Sequence, residues 1–439
     1  MEILRILLCW AISILSMFNL YPGPVAGNTV VLDDSEQPVL RFVVCSDIHI
    51  KDSRDTREYE RLEKLFEYSY RYAESKPYSS IDAFVFVGDI IDTGTKVQAD
   101  YLNEIVGNYK DPETPLLCVY DNHDVWNNGT VAQCEEWFGI PGNEDRVING
   151  FHFITVSYDD ANKSYAHRLP SLFRQLSNAK REDPQKPVFV FNHRHITGTV
   201  YGSDSWGTPE LSPVLNLFPQ VINFSGHSHY AINDPRSCHQ YFFTSFNCGT
   251  LSYLEQEKGM SYGSVPPGAA NVAGFYIVEV FADNSVAVLP FNIITGDFFK
   301  VPSSYEDGQL IYYITNPSDR SGFSYTTKRY QTADRPVWPA DATPEFTDVT
   351  ANQATLSFPQ ALDGEEIHQY RVVLMKGLTV VGTYRFWSEF YFEPMPETVS
   401  WTFNDLKPDT KYTVIITGFD TYMNSTLRPL TASFTTAAE

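Results

Sequence analysis

The chain has 439 residues, of which 43% are hydrophobic, 20% charged and 15% aromatic, with a formal net charge of −22. That length exceeds one typical core, so two domains are expected, and the composition excludes a disordered, collagen-like or disulfide-scaffold protein. So acidic a surface argues against dedicated nucleic-acid binding, but not against a small phosphate substrate at a site that carries its own cations.

Residues 1–27 read as an export signal. Arg5 precedes an apolar run over residues 6–20, Pro22-Gly23-Pro24 breaks it, and Val25-Ala26-Gly27 offers small residues for cleavage. The run is short for a retained anchor. The mature chain is therefore expected to be secreted or extracytoplasmic (periplasmic, extracellular or lumenal), with no stable membrane span. From residue 38 apolar runs alternate with helical periodicity. A buried strand is expected at 40–45, then a helix on which Tyr59, Leu62, Leu65, Phe66, Ser69, Tyr72 and Ala73 share one face. A strand at 83–87, a helix near 97–106 and a strand at 116–120 follow, a sequence that implies parallel pairing. Later strands are expected at 153–156, 188–191, 221–224, 241–243, 275–280 and 286–289. Cys45 and Cys118 fall inside apolar runs as buried thiols, while Cys238 and Cys248 either close one bridge or stay free. His152, His167, His239 and His368 are assigned to structure.

The expected strand ends gather metal-ligand types. The first ends in Asp47-Ile-His49, whose i, i+2 spacing puts two side chains on one side of an extended segment. The second ends in Gly88-Asp89-Ile-Ile-Asp92, the third in Asp121-Asn122-His123-Asp124. Later strands end in Asn192-His193-Arg194-His195 and Gly226-His227-Ser228-His229. Six of the ten histidines lie in these segments. Any one piece alone is a common turn or a chance pair. Five in succession at the carboxyl ends of strands, where open α/β sheets bind ligands, are not explained by turn chemistry.

The ordered set Asp47-x-His49, Gly88-Asp89-x-x-Asp92, Asn122-His123-Asp124, His193 and Gly226-His227-x-His229 resembles the calcineurin-like metallophosphoesterase family. The resemblance covers about residues 38–300 and implies an α/β fold in which two β-sheets form a sandwich flanked by helices. It implies a dinuclear centre of transition metals (Zn, Mn or Fe) with Asp47, His49 and His229 on one ion, Asn122, His193 and His227 on the other, and Asp89 bridging them. Carboxylate and imidazole donors suit those ions, and no cysteine cluster supports a thiolate site. In the implied mechanism a metal-bridging hydroxide attacks phosphorus. His123 protonates the leaving group, Asp124 orients His123, and Asp92 holds the loop behind the ligands. The family usually has Gly before the Asn-His pair, where this chain has Asp121, a carboxylate that either tunes the metals or faces away. Arg194 and His195 either contact substrate, at a phosphate oxygen and the leaving group, or are ordinary loop residues.

A connecting segment is expected over 301–338 and a second unit over 339–437. There only short alternating strands occur. Leu406-Lys-Pro-Asp-Thr-Lys-Tyr412 resembles the tyrosine corner of a fibronectin type III domain, with Phe358 where many members have Trp, and implies a smaller all-β sandwich that binds a surface, a glycan or the catalytic unit. The expected activity is phosphodiester hydrolysis of a small substrate, with phosphomonoester hydrolysis and a surface or adhesion role with a structural metal site as the alternatives. His49, where purple acid phosphatases usually have Tyr, disfavours that subgroup.

Overall fold

The structure is a computed structural model that describes residues 32 and 36–439, apart from 128, 159–163 and 306–307; the expected export signal lies outside the described residues. No helix among the described residues is long and apolar enough to cross a membrane.

Strands β1 (Leu40–Cys45), β2 (Ala83–Val87) and β3 (Leu116–Val119) pair in parallel, with helices Arg57–Glu74 and Lys96–Tyr109 as the crossovers. Next come β4 (Asp145–Ile148), β5 (Phe151–Thr155), β6 (Val188–Ile196), β7 (Gly207–Thr208), β8 (Val221–Gly226), β9 (Cys238–Gln240) and β10 (Thr244–Asn247). They form a second sheet in the order β4-β5-β6-β8-β10-β9, with β7 on β6. The chain then returns to the first sheet through β11 (Gly274–Val280), β12 (Val286–Asn292), β13 (Asp297–Phe298) and β14 (Tyr312–Ile314), in the order β13-β12-β11-β1-β2-β3 with β14 on β12.

Alternation along the buried strands explains why the two sheets stack. In β1, Phe42 and Val44 join Phe153, Phe189 and Phe224 of the second sheet in a common core, whereas Val43 and Cys45 face Leu62, Leu65 and Phe66 of the first helix. A third core packs helix Leu169–Glu182 on the far side of the second sheet through Leu172, Leu176 and Val190. The result is four layers, helix on sheet on sheet on helix.

One expected strand is corrected, and one open alternative is decided. Residues 241–243 are not a strand but the turn between antiparallel β9 and β10, where Gln240 pairs with Thr244 and Tyr241 is exposed. Cys238 and Cys248 do not form a bridge: both are free and buried, and the register sets Phe246 opposite Cys238, leaving Cys248 two residues past it. The segment at 301–338 also does more than connect, since β14 supplies a strand to the first sheet through the pair Ala287–Tyr313.

The C-terminal unit is a sandwich of two antiparallel sheets. One holds β15 (Glu345–Thr347), β16 (Ala354–Pro359) and β19 (Thr398–Phe403). The other holds β17 (Ile367–Lys376), β18 (Thr379–Trp387), β20 (Lys411–Asp420) and β21 (Leu430–Thr435), in the order β18-β17-β20-β21. Leu356 and Phe358 of one sheet meet Tyr370, Val372 and Val414 of the other. Tyr412 Oη accepts the Lys407 N–H at 3.0 Å, closing a tyrosine corner. This is a fibronectin type III-like fold.

Candidate metal centre

The ligand loops leave the carboxyl ends of β1, β2, β3 and β8 and are joined through their backbones. His193 instead lies inside β6, which runs past the expected end at 191 to Ile196 and shifts its register with β8 between Phe191 and Arg194. Asp47 N–H donates to the Gly88 carbonyl at 3.1 Å and His49 N–H to the Asp89 carbonyl at 3.0 Å. Five of the expected ligands have left-handed backbones: Asp47 at φ +53°, His49 at +54°, Asp89 at +49°, His227 at +74° and His229 at +58°. Such conformations persist in non-glycine residues only where the surrounding structure imposes them, and they concentrate at functional sites. Gly88, at φ +85°, is required for a second reason: a Cβ there would lie 2.5 Å from the His193 ring.

Each carboxylate divides its oxygens between loop and site. Asp47 Oδ2 accepts the His227 N–H at 3.0 Å, and its buried Oδ1 has no hydrogen-bond partner. Asp89 Oδ1 accepts the His123 N–H at 3.0 Å, while Oδ2 lies 3.1 Å from His193 Nε2. The imidazoles follow one rule. Nδ1 of His49, His193 and His229 faces, respectively, Asp92 Oδ1 at 3.2 Å, the Val87 carbonyl at 2.7 Å and the Tyr253 carbonyl at 2.8 Å. Those acceptors place the ring hydrogen on Nδ1 and leave the Nε2 lone pair for a ligand.

The residues present fit two metal ions. Asp47, His49 and His229 converge, as do Asp89, His193 and His227. Buried Asp47 Oδ1, Asn122 Oδ1 and His193 Nε2 make no hydrogen bond, although Asp47 Oδ1 lies 3.1 Å from His229 Nε2 and His193 Nε2 lies 3.1 Å from Asp89 Oδ2. His49 Nε2 sits 3.2 Å from His229 Nε2. Two ring nitrogens held that close by acceptors on their far sides call for a cation between them. The field has the right sign. Burial opposes charge on Asp47, yet His229 and His193, both buried but raised by the neighbouring carboxylates, hold its carboxyl well below the ordinary range, and an incoming cation would displace their Nε2 protons. Burial pushes His227 down to about 4, so it stands neutral, as a ligand must.

Some expected roles change. Asp124 does not orient His123. Its carboxylate accepts the backbone N–H groups of Asp89, Ile90, Ile91 and Asp121 at 2.8–3.0 Å, so it ties the second and third loops together. His123 is instead held by the Asp92 carbonyl, 2.6 Å from Nδ1. A carbonyl can only accept, so Nδ1 carries hydrogen and Nε2 is the proton-exchanging atom. Asp92 also pairs Lys51 at 2.6 Å. His195 is fully buried with Ser225 Oγ and Ser228 Oγ each 2.8 Å from a ring nitrogen, and burial pushes it down to about 3. It braces the His227–His229 loop and has no free nitrogen for substrate. Asp121 avoids the left-handed region that would call for glycine. Its carboxylate accepts Tyr165 Oη–H at 2.6 Å and pairs Arg194 at 3.1 Å, while the Arg194 guanidinium lies over the Tyr158 ring at 4.3 Å.

Residues 40–231 match the model of the calcineurin-like phosphoesterase family. The chain carries a calcineurin-like phosphoesterase domain. With the paired Asp/His clusters, this makes the protein a metal-dependent phosphoester hydrolase. No curated protein sequence matches the chain. Similar solved structures include the crystal structure of FN3tt, at 16% identity over 24% of this chain and 99% of that one, with a TM-score of 0.18. A fibronectin type III domain derived from the human KIAA0970 protein is 18% identical over 23% of this chain and 74% of that one, with a TM-score of 0.17.

Bound divalent metals supply Lewis acidity and an activated water in such a site. The phosphoesterase domain's own residues do the rest. Asp47, Asp89, Asn122 and the four imidazoles of His49, His193, His227 and His229 would hold the ions, and His123 Nε2 would be the atom available to pass a proton to the departing oxygen. Trp126, whose ring centroid is 4.8 Å from that of His123, and Trp206, 5.3 Å from His227, stand as apolar walls beside the centre.

Proposed function

We propose that the protein hydrolyses phosphodiesters, with His123 as the general acid, and that residues 1–27 direct it out of the cytoplasm. The observation that carries the diester reading is the state of the nearby cations. Arg194 is neutralised by Asp121 and Lys51 by Asp92. A phosphomonoester brings two negative charges and favours additional cationic contacts beyond the metals. A diester brings one, and its second ester group gains apolar walls such as Trp126 and Trp206. The test compares bis(p-nitrophenyl) phosphate with p-nitrophenyl phosphate on the full chain loaded with Mn, Zn or Fe. A higher kcat/KM for the diester is expected. A preference for the monoester would replace this reading with a phosphomonoesterase, and turnover of neither would remove the hydrolytic role.

A further inference from the structure

His229 is the expected ligand most remote in sequence from the first motif, and its left-handed backbone has to be imposed from outside. The segment that does so is residues 253–257. The Tyr253 carbonyl receives the His229 Nδ1–H at 2.8 Å, and Glu255 N–H donates to the His229 carbonyl at 3.2 Å. This strap belongs to no sheet. Its far end is fixed at Glu257, whose carboxylate accepts His368 Nε2–H at 2.9 Å, Trp387 Nε1–H at 3.1 Å and the Tyr201 hydroxyl. His368 lies on β17 and Trp387 on β18, so two of those three donors come from the fibronectin type III-like unit.

The rest of the boundary is equally specific. Leu254 of the strap packs with Trp387, Phe390 and Tyr391. Ser261 N–H donates to the Arg385 carbonyl at 2.7 Å, and Arg385 N–H returns a bond to Ser261 Oγ at 3.0 Å. Thr421 Oγ1–H donates to Asp234 Oδ1 at 3.1 Å, and Asp234 in turn pairs Arg236. The Thr421–Asp234 bond is buried, and a buried polar pair fixes one arrangement of two surfaces, where apolar contact alone would tolerate sliding.

We propose that the C-terminal unit is a positioning element of the metal centre: His368 and Trp387 fix Glu257, and the strap carries that placement to the His229 ring. The proposal rests on the reading of His229 as a metal ligand. It treats the sandwich as part of the active site's support, which a tethered spacer would not be.

The test uses the full-length chain and the variants His368→Ala, His368→Gln and Trp387→Phe. Glutamine keeps a donor for Glu257, and phenylalanine keeps the ring but loses the indole N–H. Mn²⁺ binding is titrated calorimetrically, and kcat and KM are measured on bis(p-nitrophenyl) phosphate below every variant's Tm. Loss of a partner behind a metal-binding histidine weakens metal binding or activity by about 10- to 100-fold. Accordingly His368→Ala should weaken one of two Mn²⁺ sites by about tenfold and lower kcat with little change in KM, and His368→Gln should recover most of both. If His368→Ala does not fold, Trp387→Phe carries the test, with a smaller shift in the same direction expected. Wild-type Mn²⁺ binding by the folded variants would overturn the proposal, even with a lowered Tm. If the wild type binds two Mn²⁺ but hydrolyses no phosphoester, the hydrolytic reading fails alone, and the metal titration still decides this one.

Discussion

Replacing Asp121 by Asn removes the charge beside the metal loops and keeps the shape. Its carboxylate is fully buried and accepts from Asn122 N–H at 2.7 Å, Tyr165 Oη–H at 2.6 Å and Arg194 at 3.1 Å. Breaking a fully buried pair costs about 3–5 kcal/mol, whereas exposed pairs contribute about 0–1 kcal/mol. The Arg194 side chain is 28% exposed, which places the loss near 2 kcal/mol, read as a lower Tm with metals bound. The same change releases Arg194, still stacked on Tyr158, as an uncompensated cation. A hydrogen bond to a charged group contributes about 1.5–3 kcal/mol, and about 1.4 kcal/mol is a factor of ten. The ratio of kcat/KM for p-nitrophenyl phosphate over bis(p-nitrophenyl) phosphate should therefore rise by about tenfold in Asp121→Asn. A ratio that stays within about twofold of wild type while the Tm falls would show that Arg194 does not set the charge preference.

His123→Ala should lower kcat by about 10²- to 10⁴-fold while metal content, measured by inductively coupled plasma mass spectrometry, stays at two ions; loss of the ions would mean that His123 is itself a ligand. Chelation should lower the Tm by several degrees, since ions at 100 times Kd contribute about 2.7 kcal/mol, and an unchanged Tm would count against a metal centre built from these residues. The domain boundary should weaken in alkali. Burial works against charge on His368, but Glu257 lifts it to about 9 from an ordinary 6.5. Its contribution is therefore full below pH 6.5 and lost as pH rises through 9. Burial also opposes the Glu257 charge, yet His368 holds it at about 2 against an ordinary 4.5, so that contribution is lost only as pH falls through 2. Burial, then Asp234, raises Glu366 above its ordinary 4.5, so its contribution is likewise lost as pH rises from there, while the Arg236–Asp234 pair beside them keeps its charge. Thermal melts should thus show a decline from about pH 6.5 to 9.5 that is shallower in His368→Gln; identical slopes would refute it.

The strands of the first domain and the gathering of the candidate ligands at their ends were legible because both rest on local signals. A run such as Ala83–Val87 is apolar at every position because a core lies on each face, and ligands collect where such runs stop. What stayed hidden depends on contacts between distant residues. Tyr165 meets Asp121 across 44 positions and Arg194 meets it across 73, and neither pairing leaves a periodicity. Asp124 misled for a related reason. Adjacency to His123 suggested a bond to its ring, but the turn at 121–124 aims the carboxylate at the backbone of the second loop. His195 resembled a site residue by its neighbours, yet Ser225 and Ser228 occupy both of its nitrogens. The run at 241–243 looked like a strand because its aromatic residues suit one, and only the β9–β10 register shows it as a turn.

The left-handed ligands have a consequence for how this protein could change over generations. Each of Asp47, His49, Asp89, His227 and His229 holds a backbone that glycine, asparagine or aspartate adopts with less resistance than other residues. Exchanging His227 for Gly would relieve that strain and remove a buried imidazole that burial already keeps from charging, and the apoprotein should become more stable as catalysis disappears. The route from enzyme to inactive descendant therefore runs downhill in folding free energy. Only continued demand for turnover, with metal at hand to stabilise the strained loops, keeps the chain from taking it.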